Sequence, residues 1–348
     1  METVHKILFQ DSRNLSNIAD GSIELIVTSP PYPMVEMWDE IFSIQNPQIK
    51  EALINKDGFS AFELMHQELD KVWRQIYRVL KIGGIACINI GDTARTIGGD
   101  FQLYNSHQRI LSSCLKLGFQ NLPNIIWRKQ TNAPNKFMGS GMLPPGAYVT
   151  LEHEYILILR KGNRREFSKP EEKKNRSESA YFWEERNLWF SDLWEGLKGT
   201  RQNLNDKELR ERSAAYPFEL PYRLINMFSV KGDTVLDPFL GTGTTTLATI
   251  STQRNSIGVE IDPNFQNSIT KKILNSKHHL NEIIKQRILD HIRFTENFQK
   301  TRGVLKYQNQ YHKFPVMTKQ EIEIKICQIQ DISRTDNTEF SVSYQFSR

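Results

Sequence analysis

The chain has 348 residues, 39% hydrophobic and 24% charged, with a net charge of +5. This balance supplies a full apolar core and excludes a disordered chain, while the mild positive charge permits nucleic-acid binding without requiring it. No apolar run reaches the ~18 residues of a membrane span and METVHKILFQDS has no signal pattern, so neither membrane insertion nor export is expected and the location read is cytoplasmic. Cys87, Cys114 and Cys327 lack CxxC spacing and read as buried thiols, with no disulfide framework and no metal site.

In chain order, apolar runs of strand length occur at KILFQD (6–11), ELIVTS (24–29), GIACINIGD (84–92), NIIWRK (124–129), YILILRK (155–161), DTVLDPF (233–239) and NSIGVEID (255–262). Most are followed by helical periodicity, the pattern of strands and crossover helices in an α/β fold. Residues 61–80 predict a helix with Leu64, Leu69, Val72, Ile76 and Leu80 on one stripe and a stop at Gly83 and Gly84. The Gly/Pro/Asn-rich stretch 130–150 predicts a long loop joining an antiparallel pair. Residues 160–190 mix bases with Tyr181, Phe182, Trp183 and Trp189. Such a mixture suits a nucleic-acid surface and equally a charged insert anchored by aromatics. After residue 276 the chain turns amide- and charge-rich and ends in IEIKICQIQDI and TEFSVSYQFS, which alternate like edge strands.

Two stretches carry chemistry. In VTSPPYP (27–33) adjacent prolines lack backbone donors, so the chain leaves its sheet in a rigid corner with the carbonyls of Pro30 and Pro31 unclaimed, a hydroxyl on one side and a flat ring on the other. In DPFLGTGTTTLATI (237–250) a strand meets a helix through Gly241 and Gly243, where open α/β sheets bind ligands. Thr244 stands where a phosphate loop needs lysine, and Thr246 where a dinucleotide fingerprint needs its third glycine. Glu260, about 20 residues on, can accept both hydroxyls of a ribose. Together these features predict a nucleoside cofactor with no sign of phosphates.

Ser29-Pro30-Pro31-Tyr32 and the Asp237–Thr245 segment resemble the two signatures of the S-adenosylmethionine-dependent DNA amino-methyltransferases, an Asp, Asn or Ser before Pro-Pro-Tyr/Phe and a DPFxGxGTT loop. YPFELPYRLI (216–225) resembles the helix that precedes the cofactor loop in that family. Catalytic loop first and cofactor loop last is the order of its β-class. The resemblance covers roughly residues 5–275 and implies a Rossmann-like, seven-stranded mixed sheet, circularly permuted. It divides the chain into a catalytic half (1–161), a target-recognition insertion (162–213), a cofactor-binding half (214–275) and a C-terminal extension without a counterpart (276–348).

The resemblance also implies roles. Ser29 and the Pro30 carbonyl would accept the two hydrogens of an exocyclic amine, Pro31 would stiffen the corner, and Tyr32 would stack on a flipped base. S-adenosyl-L-methionine would lie against Asp237, Phe239, Gly241, Gly243 and Thr244, with its ribose on Glu260, its adenine on Ile261 and the adenine amine on Asp11. Phe218 is a further cofactor candidate. A turn-capping role is the plainer reading of Asp11; Asp92, which closes NIGD on the substrate side, reads equally as a residue that shapes the site and as an ordinary strand-end cap. The serine before Pro-Pro favours cytosine N4 over adenine N6 within this family. The partner implied is double-stranded DNA with a specific short site, in a bacterial restriction-modification system whose endonuclease acts on the same site. A homodimer is compatible, since relatives often dimerise. Methylation of RNA or of a protein amide, and a non-catalytic DNA-binding relic, are the rival readings.

Overall fold

All seven apolar runs are strands, and they lie side by side in one sheet of the computed structural model, which describes residues 1–129, 138–197 and 216–346. The sheet's strands are β1 (Glu2–Phe9), β2 (Ile23–Thr28), β3 (Leu80–Ile90), β4 (Phe119–Asn121), β5 (Ile125–Arg128), β6 (His153–Lys161), β7 (Leu193–Trp194), β8 (Thr234–Asp237), β9 (Asn255–Glu260), β10 (Gln328–Asp336) and β11 (Glu339–Gln345). Their order is β7-β5-β6-β3-β2-β8-β9-β1-β11-β10, with β4 also paired to β6. Strands β3, β2, β8, β9 and β1 run parallel. Strand β6 is antiparallel to both β3 and β5, as the loop between its run and the preceding one predicts.

Among the described residues the sheet therefore holds eleven strands, where the resemblance implies seven. Short β4 and β7 attach at one side, and the C-terminal hairpin β10–β11 adds two at the other by pairing β11 with β1. Of IEIKICQIQDI only the part from Gln328 onward is strand.

Side chains of β2 alternate between two cores, as a pleated strand with both faces covered must. Ile26 packs with Met65, Leu69, Val72 and Trp73 of the helix Gly58–Val79 on one face. Leu25 and Val27 pack with Leu220, Leu224 and Ala248 on the other. The Gly58–Val79 helix begins earlier than its stripe suggests because Asp57 caps it, accepting from the Ser60 N–H at 3.0 Å. It passes directly into β3 at Leu80, without stopping at Gly83 and Gly84. Those glycines lie inside β3, and Gly83 sits at φ +82°, where a Cβ would come within 2.6 Å of the Arg165 backbone nitrogen.

Two of the four aromatics singled out in residues 160–190, Phe182 and Trp189, point inward. Phe182 stacks on His291 with ring centroids 3.8 Å apart, and Trp189 is buried against Tyr222. Arg287, from the long helix Lys277–Arg302, pairs with Glu185 at 2.6 Å and lies over both Phe182 and Trp189. Phe182 and Trp189 are thus anchors between the insert and the C-terminal extension, which removes them from any stacking surface; Trp183 remains 40% exposed. The rest of the predicted insertion, 198–213, and residues 130–137 of the predicted loop lie outside the described residues. No described helix is long and apolar enough to cross a membrane.

Candidate active site

Strand β2 leads through the helix Gly58–Val79 to β3 on one side, and β8 leads through the helix Thr244–Ser251 to β9 on the other. The crevice outside their carboxyl ends is the switch point of the sheet, where such folds bind ligands. A cavity of about 600 Å³ opens there, within the size range of small-molecule sites. Its lining includes Ser29, Pro30, Pro31 and Tyr32 from the corner after β2, Phe239, Gly241 and Thr244 from the turn after β8, Glu260 and Ile261 after β9, and Asp11 after β1. One hollow thus joins ten of the thirteen residues singled out from sequence.

The other three lie elsewhere. Asp237 is 2% exposed, and its carboxylate accepts from Thr28 at 2.7 Å, from Thr245, from Tyr216 at 3.2 Å and from the Phe239 N–H at 3.1 Å. It fastens the turn from beneath. Gly243, at φ +82°, opens the Thr244–Ser251 helix and faces Ile269. Phe218 stacks on Tyr222, with centroids 5.6 Å apart, and does not line the cavity.

On the cofactor side the Glu260 carboxylate accepts from the backbone N–H of Gly241 at 2.8 Å and of Asp262 at 3.0 Å. Burial raises its pKa to about 7 against the pull of those two donors, so the group gains from any further donor brought to it. Gly241, at φ +54°, has open space where a Cβ would stand. Ile261, Leu240, Val259 and Phe265 give an apolar wall. A carboxylate with room for further donors, an open glycine turn and an apolar wall are a lining of the kind that the ribose, amino-acid and adenine parts of S-adenosyl-L-methionine need. Asp11 is held by Arg13, whose Nε and Nη2 reach Asp11 Oδ2 at 2.9 and 2.6 Å, while Nη1 reaches Glu68 at 2.6 Å. Although burial works in the opposite direction, the hydrogen bonds from Arg13 hold the Asp11 carboxyl below its ordinary value.

On the other side, among the described residues, no backbone N–H meets the carbonyl of Pro30 or Pro31. The corner turns sharply through Met34, buried at φ +68°. The Tyr32 hydroxyl donates to Glu154 Oε2 at 2.8 Å and receives Ser29 Oγ at 3.2 Å and Asn89 Nδ2 at 2.8 Å. Glu154 also accepts from Asn89 at 2.7 Å and from Lys129 Nζ at 2.7 Å. Asp92 lies apart from this network. It caps the helix Ser106–Lys116, accepting from the His107 N–H at 3.1 Å, and pairs with the His107 ring at 2.7 Å.

Sequence reading missed Glu154, Asn89, Lys129, Tyr216 and Arg13. The signal available for Glu154 was a carboxylate at the head of an otherwise apolar strand, HEYILIL, where a buried charge requires partners.

A nucleoside pocket and a donor-poor, hydroxyl-lined corner at one switch point define an S-adenosyl-L-methionine-dependent methyltransferase. Residues 23–272 match the DNA methylase family of N6 and N4 amino-methyltransferases, and the chain belongs to that family. It is 54% identical over 346 residues to the Type II methyltransferase M.MthZI of Methanothermobacter thermautotrophicus, covering 99% of this chain and 96% of that one. It is 50% identical over 282 residues to the Type II methyltransferase M.MjaI of Methanocaldococcus jannaschii, covering 78% and 91%. Among solved structures, TTHA0409 of Thermus thermophilus in complex with S-adenosyl-L-methionine matches with a TM-score of 0.58 and 32% identity over 77% of this chain and 94% of that one. The cofactor is S-adenosyl-L-methionine.

Proposed function

We propose that the protein methylates the exocyclic N4 amine of a cytosine within a specific short site in duplex DNA, as the modification enzyme of a restriction-modification system. The observation that carries this reading is the shared cavity, in which the Ser29–Tyr32 corner and the Gly241–Glu260 pocket face one space. The Type II relatives support a sequence-specific DNA substrate. The chain order, with the corner at 29–32 and the glycine turn at 237–245, supports the β-class arrangement.

S-adenosyl-L-methionine supplies an electrophilic methyl group on a sulfonium. The protein's task is to make a poor nucleophile adequate, since the amine lone pair is delocalised into the base. Ser29 Oγ and the Pro30 carbonyl accept the two amine hydrogens, which turns the nitrogen toward sp³ and aims its lone pair out of the ring plane. The Tyr32 ring receives the base extruded from the duplex. Stacking of about 1–3 kcal/mol offsets much of an extrusion cost of a few kcal/mol. Glu260, Gly241, Thr244, Phe239 and Ile261 hold the cofactor, and Asp11, positioned by Arg13, accepts from its adenine amine.

The serine before Pro-Pro supports cytosine over adenine. The test is to express the protein in a host free of DNA methylation and digest its DNA to nucleosides. N4-methylcytosine, lost in Ser29→Ala, is the expected product; N6-methyladenine alone would reverse the target base.

A further inference from the structure

We infer that Glu154 is a positioning residue for methyl transfer, which acts through Tyr32 to make Ser29 a pure hydrogen-bond acceptor toward the target amine. The inference rests on the amine-methylating reading above and adds a residue to it.

A phenol has one hydrogen and two lone pairs. Ser29 Oγ at 3.2 Å and Asn89 Nδ2 at 2.8 Å occupy the acceptor side of Tyr32, so its one hydrogen goes to Glu154 Oε2 at 2.8 Å. Burial, with the Glu154 charge as the next cause, holds the Tyr32 phenol well above its ordinary range, so the hydrogen stays in place. Asn89 is oriented by the same carboxylate: its amide nitrogen meets Glu154 Oε2 at 2.7 Å, where its oxygen would meet like charge. Lys129 Nζ holds the other oxygen, Oε1, at 2.7 Å. The direction of the chain is therefore set at its buried end. The Ser29 hydrogen points to Tyr32, and the serine's lone pairs are left for an amine. Without the carboxylate, Ser29 can turn its hydrogen toward the amine and oppose the pyramidalisation that the reaction needs. The same anchor fixes the plane of the Tyr32 ring.

The test uses full-length Glu154→Gln, Tyr32→Phe and the double variant in single-turnover methylation of duplex DNA, with cofactor affinity measured by calorimetry. Glu154→Gln should lower the transfer rate roughly 10- to 100-fold with cofactor Kd unchanged, because only geometry at the reacting nitrogen is lost. Tyr32→Phe keeps the ring and cuts the chain, so the double variant should be no slower than the slower single one. If wild type methylates and Ser29→Ala does not, the amine reading stands. A wild-type rate in Glu154→Gln, or losses that multiply in the double variant, would then overturn the role of Glu154 alone. Folding is controlled by Glu154→Ala together with Lys129→Ala, which leaves no unpaired charge and should be as slow as Glu154→Gln; a faster rate also overturns it.

Discussion

Thr28 Oγ1 donates to Asp237 Oδ1 at 2.7 Å although 209 residues separate them, and this bond ties the strand that ends in the Ser29–Tyr32 corner to the strand that ends in the glycine turn. The two halves of the cavity are thereby registered to within a hydrogen bond. Burial pushes the Asp237 pKa up, and its donors, Thr28 among them, oppose that shift. Thr28→Val keeps the shape and removes one donor from a buried carboxylate. It should destabilise the protein by about 1.5–3 kcal/mol in urea unfolding and slow methyl transfer. An unchanged midpoint with full activity would show that the two strand ends are registered by other contacts.

Cofactor binding should depend on pH through Glu260. Its pKa of about 7, raised by burial, leaves the carboxyl largely protonated below that value in the free protein. In the free protein this raised value stabilises the fold at low pH, a contribution lost as pH rises through about 7. In the proposed contact two ribose hydroxyls donate to the carboxylate and favour its charged form, so binding should expel a proton when pH is below about 7. Affinity should be constant above neutrality and fall as pH drops, approaching about tenfold per unit. Calorimetry at about pH 6, in buffers of different ionisation enthalpy, should detect the released proton; equal heats would rule it out.

Gly91 follows β3 and backs onto the Tyr32 network. A Cβ there would stand 3.1 Å from Tyr32 Cε2 and 3.3 Å from Glu154 Cγ. Gly91→Ala must shift one of them by a few tenths of an ångström, which in a packed site costs about 1–3 kcal/mol. The transfer rate should fall while cofactor affinity, governed on the other side of the cavity, holds. A parallel loss of cofactor affinity would refute this separation.

Tyr344 offers a contrast far from the chemistry. Its hydroxyl bonds to Thr3 Oγ1 at 2.9 Å and to the Ile250 carbonyl at 2.8 Å, pinning the C-terminal hairpin to the sheet. Tyr344→Phe removes one bond from each partner, while Thr3 Oγ1 keeps His5 Nε2 at 2.8 Å and the Ile250 carbonyl keeps the Gln253 N–H, so stability should fall by about 0.5–1.5 kcal/mol. Its rate at room temperature should match wild type.

The strands and both loops are legible in the sequence because each depends on local chemistry. A Pro-Pro corner and a Gly-x-Gly turn owe their shape to the backbone of consecutive residues, and seven apolar runs are long enough to be read as strands. Glu154, Asn89 and Lys129 are hidden because they come from separate stretches of chain and form a unit only when β3, β5 and β6 lie adjacent. Asp237 reads as a cofactor contact from its place in the motif, whereas its carboxylate turns into the protein to fasten the turn. The aromatics at 181–189 are ambiguous for a related reason. Composition cannot say which way a ring points, and Phe182 turns inward because His291 and Arg287, about a hundred residues later, form its seat.

The pairing of β1 bears on how the chain is made. Its neighbours are β9, at 255–260, and β11, at 339–345, so β1 waits for partners made long after it. At ~5–20 residues per second the ribosome needs roughly 12–50 s to reach β9, during which VHKILF has neither edge covered. Nascent chains should thus be most prone to clump before β9 has been made, and holding factors that shield β1 should raise the yield of active enzyme.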